Sequence, residues 1–250
     1  MLAEFFLLSL GLGVGFFTFL ANTSETGAGF LKVVSSICGI SIFIALTLHL
    51  SYGSFKDPQS ILYYLSITSF LLIFLNHKDQ KGPLMWILFS CHNIFLTLIL
   101  LLMSNNSYYE FFYALTSIGL LGAVTYAMIM GHWYLVTPRL SEKPLKVALY
   151  FTWAFMAIKL AWTVSGYLDT SGFFEVGTSQ GGGYAFNWML LSMRTGWGFL
   201  VLGIMSYFAY RLVAMRSIQS ATGMLYAMTF FVFVGELISN YMYFEYGVFL

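Results

Sequence analysis

Charge is the scarcest commodity in this chain: Lys, Arg, Asp and Glu together make up 8% of its 250 residues, where a soluble globular domain carries roughly 25%. So little polar material cannot cover a water-soluble fold, which excludes that class. The 11 basic and 10 acidic residues nearly cancel, to a formal +1. No basic field is left for nucleic acid, and nucleic-acid binding is excluded as well. Cysteine is limited to Cys38 and Cys91, both inside apolar segments and without CxxC spacing. Neither a disulfide framework nor a zinc site follows from such a pair. The four prolines all fall between apolar runs, so none is expected to break a long helix. No internal repeat and no matched pair of interrupted helices is visible, which counts against an inverted-repeat transporter. GxSxG, HExxH, Walker A and paired-carboxylate spacings are all missing, and with them the usual catalytic constellations.

What the chain has instead is apolar length. Hydrophobic residues make up 59%, aromatics 20%, and the mean hydropathy is +0.81. Apolar runs of roughly 17–25 residues recur from end to end, each long enough to cross a hydrocarbon core about 30 Å thick. The reading is an all-α, polytopic transmembrane helical bundle of about eight spans, one integral membrane domain over residues 1–250 in contact with the lipid bilayer. The spans are expected at residues 1–20, 30–52, 60–76, 84–103, 111–136, 147–168, 186–212 and 221–247, the third being the shortest. The first carries Glu4 and no basic leader, so it reads as a retained span rather than a cleaved signal. Its GLGVG follows no strand, and close helix packing accounts for it better than a nucleotide fingerprint.

Loop charge gives an orientation. Lys32, Lys78, Lys81, Arg139, Lys143, Lys146, Arg211 and Arg216 lie at or near loops after odd-numbered spans, while only Lys56 lies in a connection on the other face. The positive-inside rule then places both termini outside, in what is expected to be a bacterial inner membrane. The longest outer connection, DTSGFFEVGTSQGGGYAF, fits either a lid over the outer face or a flexible linker.

Against this apolar background Lys159, Arg194 and Glu236 stand in the middle of the last three spans. A charge there costs at least about 2.5–3.5 kcal/mol, so the three are expected to serve one another or a ligand. At about 1.5 Å per residue they lie about 19, 18 and 22 Å above the inner boundary. That is one level, slightly outside the midplane, where Glu236 can bridge the two cations. Two cations and one carboxylate leave a formal +1 for an oxygen-bearing group to complete. Asn187 and Asn240, with Trp162, Trp188 and Trp197, add amides and aromatic faces at nearby depths. The set suits a flat apolar ligand with polar oxygens, such as a quinone. The competing structural reading is a salt-bridged clip that only fixes helix packing.

Of the histidines, His77 belongs to a polar loop and His49 to the outer end of the second span, whereas His92 and His132 form the one pair that could ligate haem b from two helices. Their depths differ by about 6 Å, and hydrogen bonding within the bundle or a proton relay are the other readings. The expected function is a membrane subunit of a quinone-linked electron-transfer complex, at most the quinone-binding anchor of an oxidoreductase, with redox protein subunits as partners. A proton-coupled or anion transporter or channel using the same charged layer is the alternative.

Overall fold

The computed structural model describes residues 1–21, 26–78, 82–104, 107–137 and 140–250. Lys81 and Arg139, two of the cations used for orientation, lie outside the described residues, as does Pro138. Among the described residues every regular element is helical: α1 (Leu2–Phe17), α2 (Ala28–His49), α3 (Pro58–Asn76), α4 (Pro83–Met103), α5 (Tyr108–Val136), α6 (Lys143–Asp169), α7 (Tyr184–Thr195), α8 (Leu202–Ala214) and α9 (Ile218–Tyr246). Short 3-10 turns follow α1 and α6, and a π-helical segment, Gly196–Val201, joins α7 to α8. With α7, the π segment and α8 counted as one span, eight helices among the described residues are long and apolar enough to cross a membrane. The third reaches 19 residues, about 28 Å at 1.5 Å per residue, enough for the hydrocarbon core.

Local chemistry explains where the helices start. Pro58, Pro83 and Pro144 each occupy the first turn of a helix, where the missing N–H is no loss and the fixed φ is already helical. Asp57 caps α3, its carboxylate accepting from the Ser60 amide at 2.7 Å. Ser107 caps α5 by accepting from the Glu110 amide at 3.4 Å, the Ser-x-x-Glu spacing of a capping box.

The bundle is organised around α5, 83% of whose most apolar stretch is buried, against 28–44% for each span from α2 onward and 61% for α1. It packs on α1, α6 and α9. On one flank α1 carries α2 and α4, with α3 packed against those two; on the other α9 carries α7, the π segment and α8. The glycines of the first span do serve close packing: a Cβ on Gly122 of α5 would stand 2.5 Å from the Gly13 Cα. α6 makes its main contacts with α5 and α8, and a lipid-facing groove runs between it and α7.

Candidate functional site

The inward face of α6 is a narrow stripe, Leu145, Ala148, Leu149, Thr152, Lys159, Thr163 and Gly166. This is the i, i+3, i+4 spacing of one helical face, and Lys159 is on it. In α7 the stripe is Asn187, Leu190, Leu191 and Arg194. In α9 Glu236 lies between Gly235 and Ile238 on the buried side. Helical periodicity therefore aims all three charges at the bundle interior, and none is exposed at all.

They meet there. Arg194 donates from Nη1 to Glu236 Oε1 at 2.9 Å, and Lys159 Nζ lies 3.7 Å from Glu236 Oε2. Lys159 also donates to Ser239 Oγ at 3.1 Å and sits 3.7 Å above the centre of the Tyr113 ring. The Arg194 guanidinium lies 4.4 Å from the centre of Phe199. Cation–π contacts of this kind contribute about 2 kcal/mol or more when desolvated, and help offset the cost of burial. Beneath them the Tyr113 hydroxyl reaches Ser239 Oγ at 2.6 Å and the Leu250 main-chain oxygen at 3.1 Å, and Ser239 donates to that same oxygen. Residues near Leu250 thus form one wall of the site, with Phe249 against Trp162 and Tyr113.

Backbone geometry permits the approach. A Cβ on Gly235 would stand 2.8 Å from the Gly198 Cα and 3.2 Å from Arg194 Nη1, so α9 and the π segment touch through two glycines beside the ion pair. The π segment begins two residues after Arg194. Interruptions of this kind concentrate at functional positions. The seventh span is thus continuous and free of proline, but it carries a wide helical turn at this point. No proline or Gly-Pro signal marks it in the sequence.

The polar atoms are not all satisfied. Arg194 Nε and Nη2, Glu236 Oε2 and Asn240 Oδ1 are buried without a hydrogen-bond partner. Buried polar groups are nearly always hydrogen-bonded, so such a cluster has hydrogen-bonding capacity left for another polar group. Outside this cluster lie two adjoining lipid-facing hollows of about 390 and 320 Å³ that share Leu160 and Thr195. Phe199 lines the first and also covers the guanidinium, so it stands as the wall between groove and charge.

Two residues expected in this layer are placed elsewhere. Asn187 is fully used by the connection between α6 and α7: its amide nitrogen donates to the Phe173 and Gln180 carbonyls at 2.7 and 3.0 Å, and its oxygen accepts from Gly182 N at 3.2 Å. Trp188 donates to the Phe174 carbonyl at 2.9 Å. The depth estimate put Asn187 near Arg194, but at seven residues before it the side chain is about 10 Å nearer the helix start. Those bonds also pin the glycine-rich connection against α7 as a cap. Asn240, by contrast, is buried one turn beyond Glu236.

His92 and His132 are not brought together. His92 is buried, takes a 2.6 Å hydrogen bond with Ser66 Oγ, and turns Nε2 toward Gly15 of α1 without a partner. His132 is exposed and pairs with Tyr226 at 2.9 Å. One contacts α1 and α3, the other α9, so they do not face one another as two axial haem ligands would.

A second ionic cluster is absent from the sequence reading. Glu4 of α1, unexposed, accepts from Gln59 Nε2 at 2.9 Å and Tyr63 OH at 3.0 Å, and lies 3.1 Å from His49 Nδ1. His49 Nε2 is 3.1 Å from Asp57 Oδ2. The signal was a lone acid inside the first apolar run, which loop-charge reasoning passed over.

Against protein-family models, curated proteins and solved structures, the chain matches none.

Proposed function

We propose that this protein is an integral membrane subunit of quinone-linked electron transfer in a bacterial inner membrane. Both termini would lie outside, with the quinone head group held at Lys159, Arg194 and Glu236. The observation that carries the reading is the set of atoms without a hydrogen bond on Arg194 and Glu236 behind a groove open to lipid. A quinone arrives from the bilayer, so a lipid-side entrance fits it, and its flat ring suits walls such as Trp153, Met156 and Phe199. Its oxygens would accept from Arg194 and Lys159, and Glu236 Oε2 would take the proton of a quinol hydroxyl. The two electrons would leave through metal or flavin centres on redox partner subunits. Displacement of the Phe199 ring would admit the head group.

Lys159→Met tests this directly. It leaves Arg194 and Glu236 as a one-to-one pair, so the fold is retained. Binding of a short-chain quinone to the purified protein, followed by tryptophan fluorescence, is expected to weaken by about tenfold or more, the worth of one charged hydrogen bond. Unchanged binding, or no saturable binding by the unmodified protein, would reduce the cluster to a packing clip. The π segment beside Arg194 supports a second reading, transport of protons or an anion past the same layer. Ion flux in liposomes without any redox partner would favour it.

A further inference from the structure

We propose that Asp57, His49 and Glu4 form a proton port at the end of the bundle where α1 begins, passing protons between water and a buried carboxylate. The site is distinct from the Lys159 cluster and does not depend on the quinone reading. Three observations carry it. First, the chain of groups is continuous: Asp57 Oδ2 is 3.1 Å from His49 Nε2, and His49 Nδ1 is 3.1 Å from Glu4 Oε1. Second, it runs from outside to inside, since the Asp57 side chain is 29% exposed, His49 5% and Glu4 not at all. Third, it ends on an open valence, because Glu4 Oε2 is buried and has no hydrogen-bond partner. A carboxylate retained only to fix packing has no need of a histidine linking it to a surface acid; Tyr63 and Gln59 already hold Oε1.

The local fold keeps the link clear. Gly53 sits where a Cβ would come within 2.7 Å of His49 Nε2 and 3.0 Å of Asp57 Oδ2, so any side chain there would wedge the pair apart. Asp57 is held in place by the amides of Ser54 and Ser60. The Nδ1 to Oε1 contact is at transfer distance but off hydrogen-bond alignment, so rotation of the imidazole is the gate.

The transfer balances without any other reactant. A proton taken from water by Asp57 moves to His49 Nε2; that Asp57 O–H bond breaks as the Nε2–H bond forms. The Nδ1 proton then passes to Glu4, leaving a neutral imidazole and a neutral carboxylic acid. Ring rotation then turns the bare Nδ1 from Glu4 toward Asp57, where it can accept the next proton. The other titratable groups near the path are the Met1 amine and Tyr63 beside Glu4 and Tyr52 beside His49, with Lys56 adjoining Asp57 in sequence.

The test uses the full chain in lipid vesicles, with infrared difference spectra recorded after a pH jump. A carboxylic-acid C=O band is expected to appear on acidification and to vanish in Glu4→Gln. Asp57→Asn keeps a helix cap of equal quality, so it removes the proton carrier without unfolding α3. In it, and in His49→Gln, the band is expected to appear about a hundredfold more slowly, the contribution of a positioned acid–base group. Absence of a Glu4-dependent band, or the same rate of appearance in all variants that retain the wild-type circular dichroism, would overturn the port.

Discussion

Two ionic clusters of this bundle, around Glu236 and around Glu4, solve opposite problems. Around Glu236 all three charges are on the inward stripes of long helices, and two cations share one carboxylate with aromatic faces beneath them. Around Glu4 one buried carboxylate meets two neutral donors and a histidine that leads to a partly exposed aspartate. The first holds two cations against one carboxylate and keeps a formal positive charge; the second can be neutralised by a single proton. A buried layer with excess positive charge favours binding a polar group from lipid, while a chain that reaches water favours proton exchange.

The contrast is sharpest in what removal of the carboxylate costs. Glu236→Leu strands two buried cations and is expected to destabilise by about 3–5 kcal/mol, the penalty for an uncompensated buried charge. Glu4→Leu leaves only neutral donors unpaired, and about 1–3 kcal/mol is expected. Thermal unfolding in detergent reads both; equal losses would erase the distinction. Next in size is Gly235→Ala, whose added methyl would collide with the Gly198 backbone. A cost of about 1–3 kcal/mol follows from overpacking, together with loss of the ligand affinity tested through Lys159→Met. Gly223→Ala, on the same helix with open space around its Cβ, is the matched control.

A smaller effect belongs to Asp57. Burial raises its carboxyl, but hydrogen bonds from Ser60, His49 and Ser54 outweigh that and bring it down to about 2 from an ordinary 3.8. A depressed carboxyl stabilises above its unfolded value and loses that stabilisation as it is protonated. Stability is therefore expected to fall as pH drops from about 4 toward 2, and Asp57→Asn should flatten that window. Loss of the cap in Asp57→Ala is worth about 1 kcal/mol. The smallest effect is on the opposite face, where Glu142, held below its ordinary value by hydrogen bonds from Lys146 and then Arg216, joins the starts of α6 and α9. Because Arg216 is largely exposed, Arg216→Ala should change stability by no more than about 0.5 kcal/mol, and by less in high salt.

Periodicity and scarcity of charge were enough to read the eight spans, the absence of helix-breaking proline within them, and the common depth of Lys159, Arg194 and Glu236. Each follows from quantities that act along the chain: 1.5 Å per residue, a 30 Å apolar layer, and the cost of a charge inside it. The sequence also held Glu4 in plain view, but an acid near a helix end has ordinary explanations, and only the approach of α2 and α3 gives it His49, Asp57 and Tyr63. Asn187 shows the converse, since depth placed it in the charged layer while a long loop folding back onto α7 claimed all of its hydrogen bonds.

The sequence by itself determined that this protein is a helical membrane bundle and that three charges must find company inside it. Only the tertiary structure decided the company: Gly198 against Gly235, the π turn after Arg194, Tyr113 under Lys159, and Asp57 at the mouth of Glu4. The physical reason is range. Hydrophobic length and charge burial act on each helix separately, whereas hydrogen bonds and ion pairs act over about 3–4 Å and exist only once the helices have chosen their neighbours.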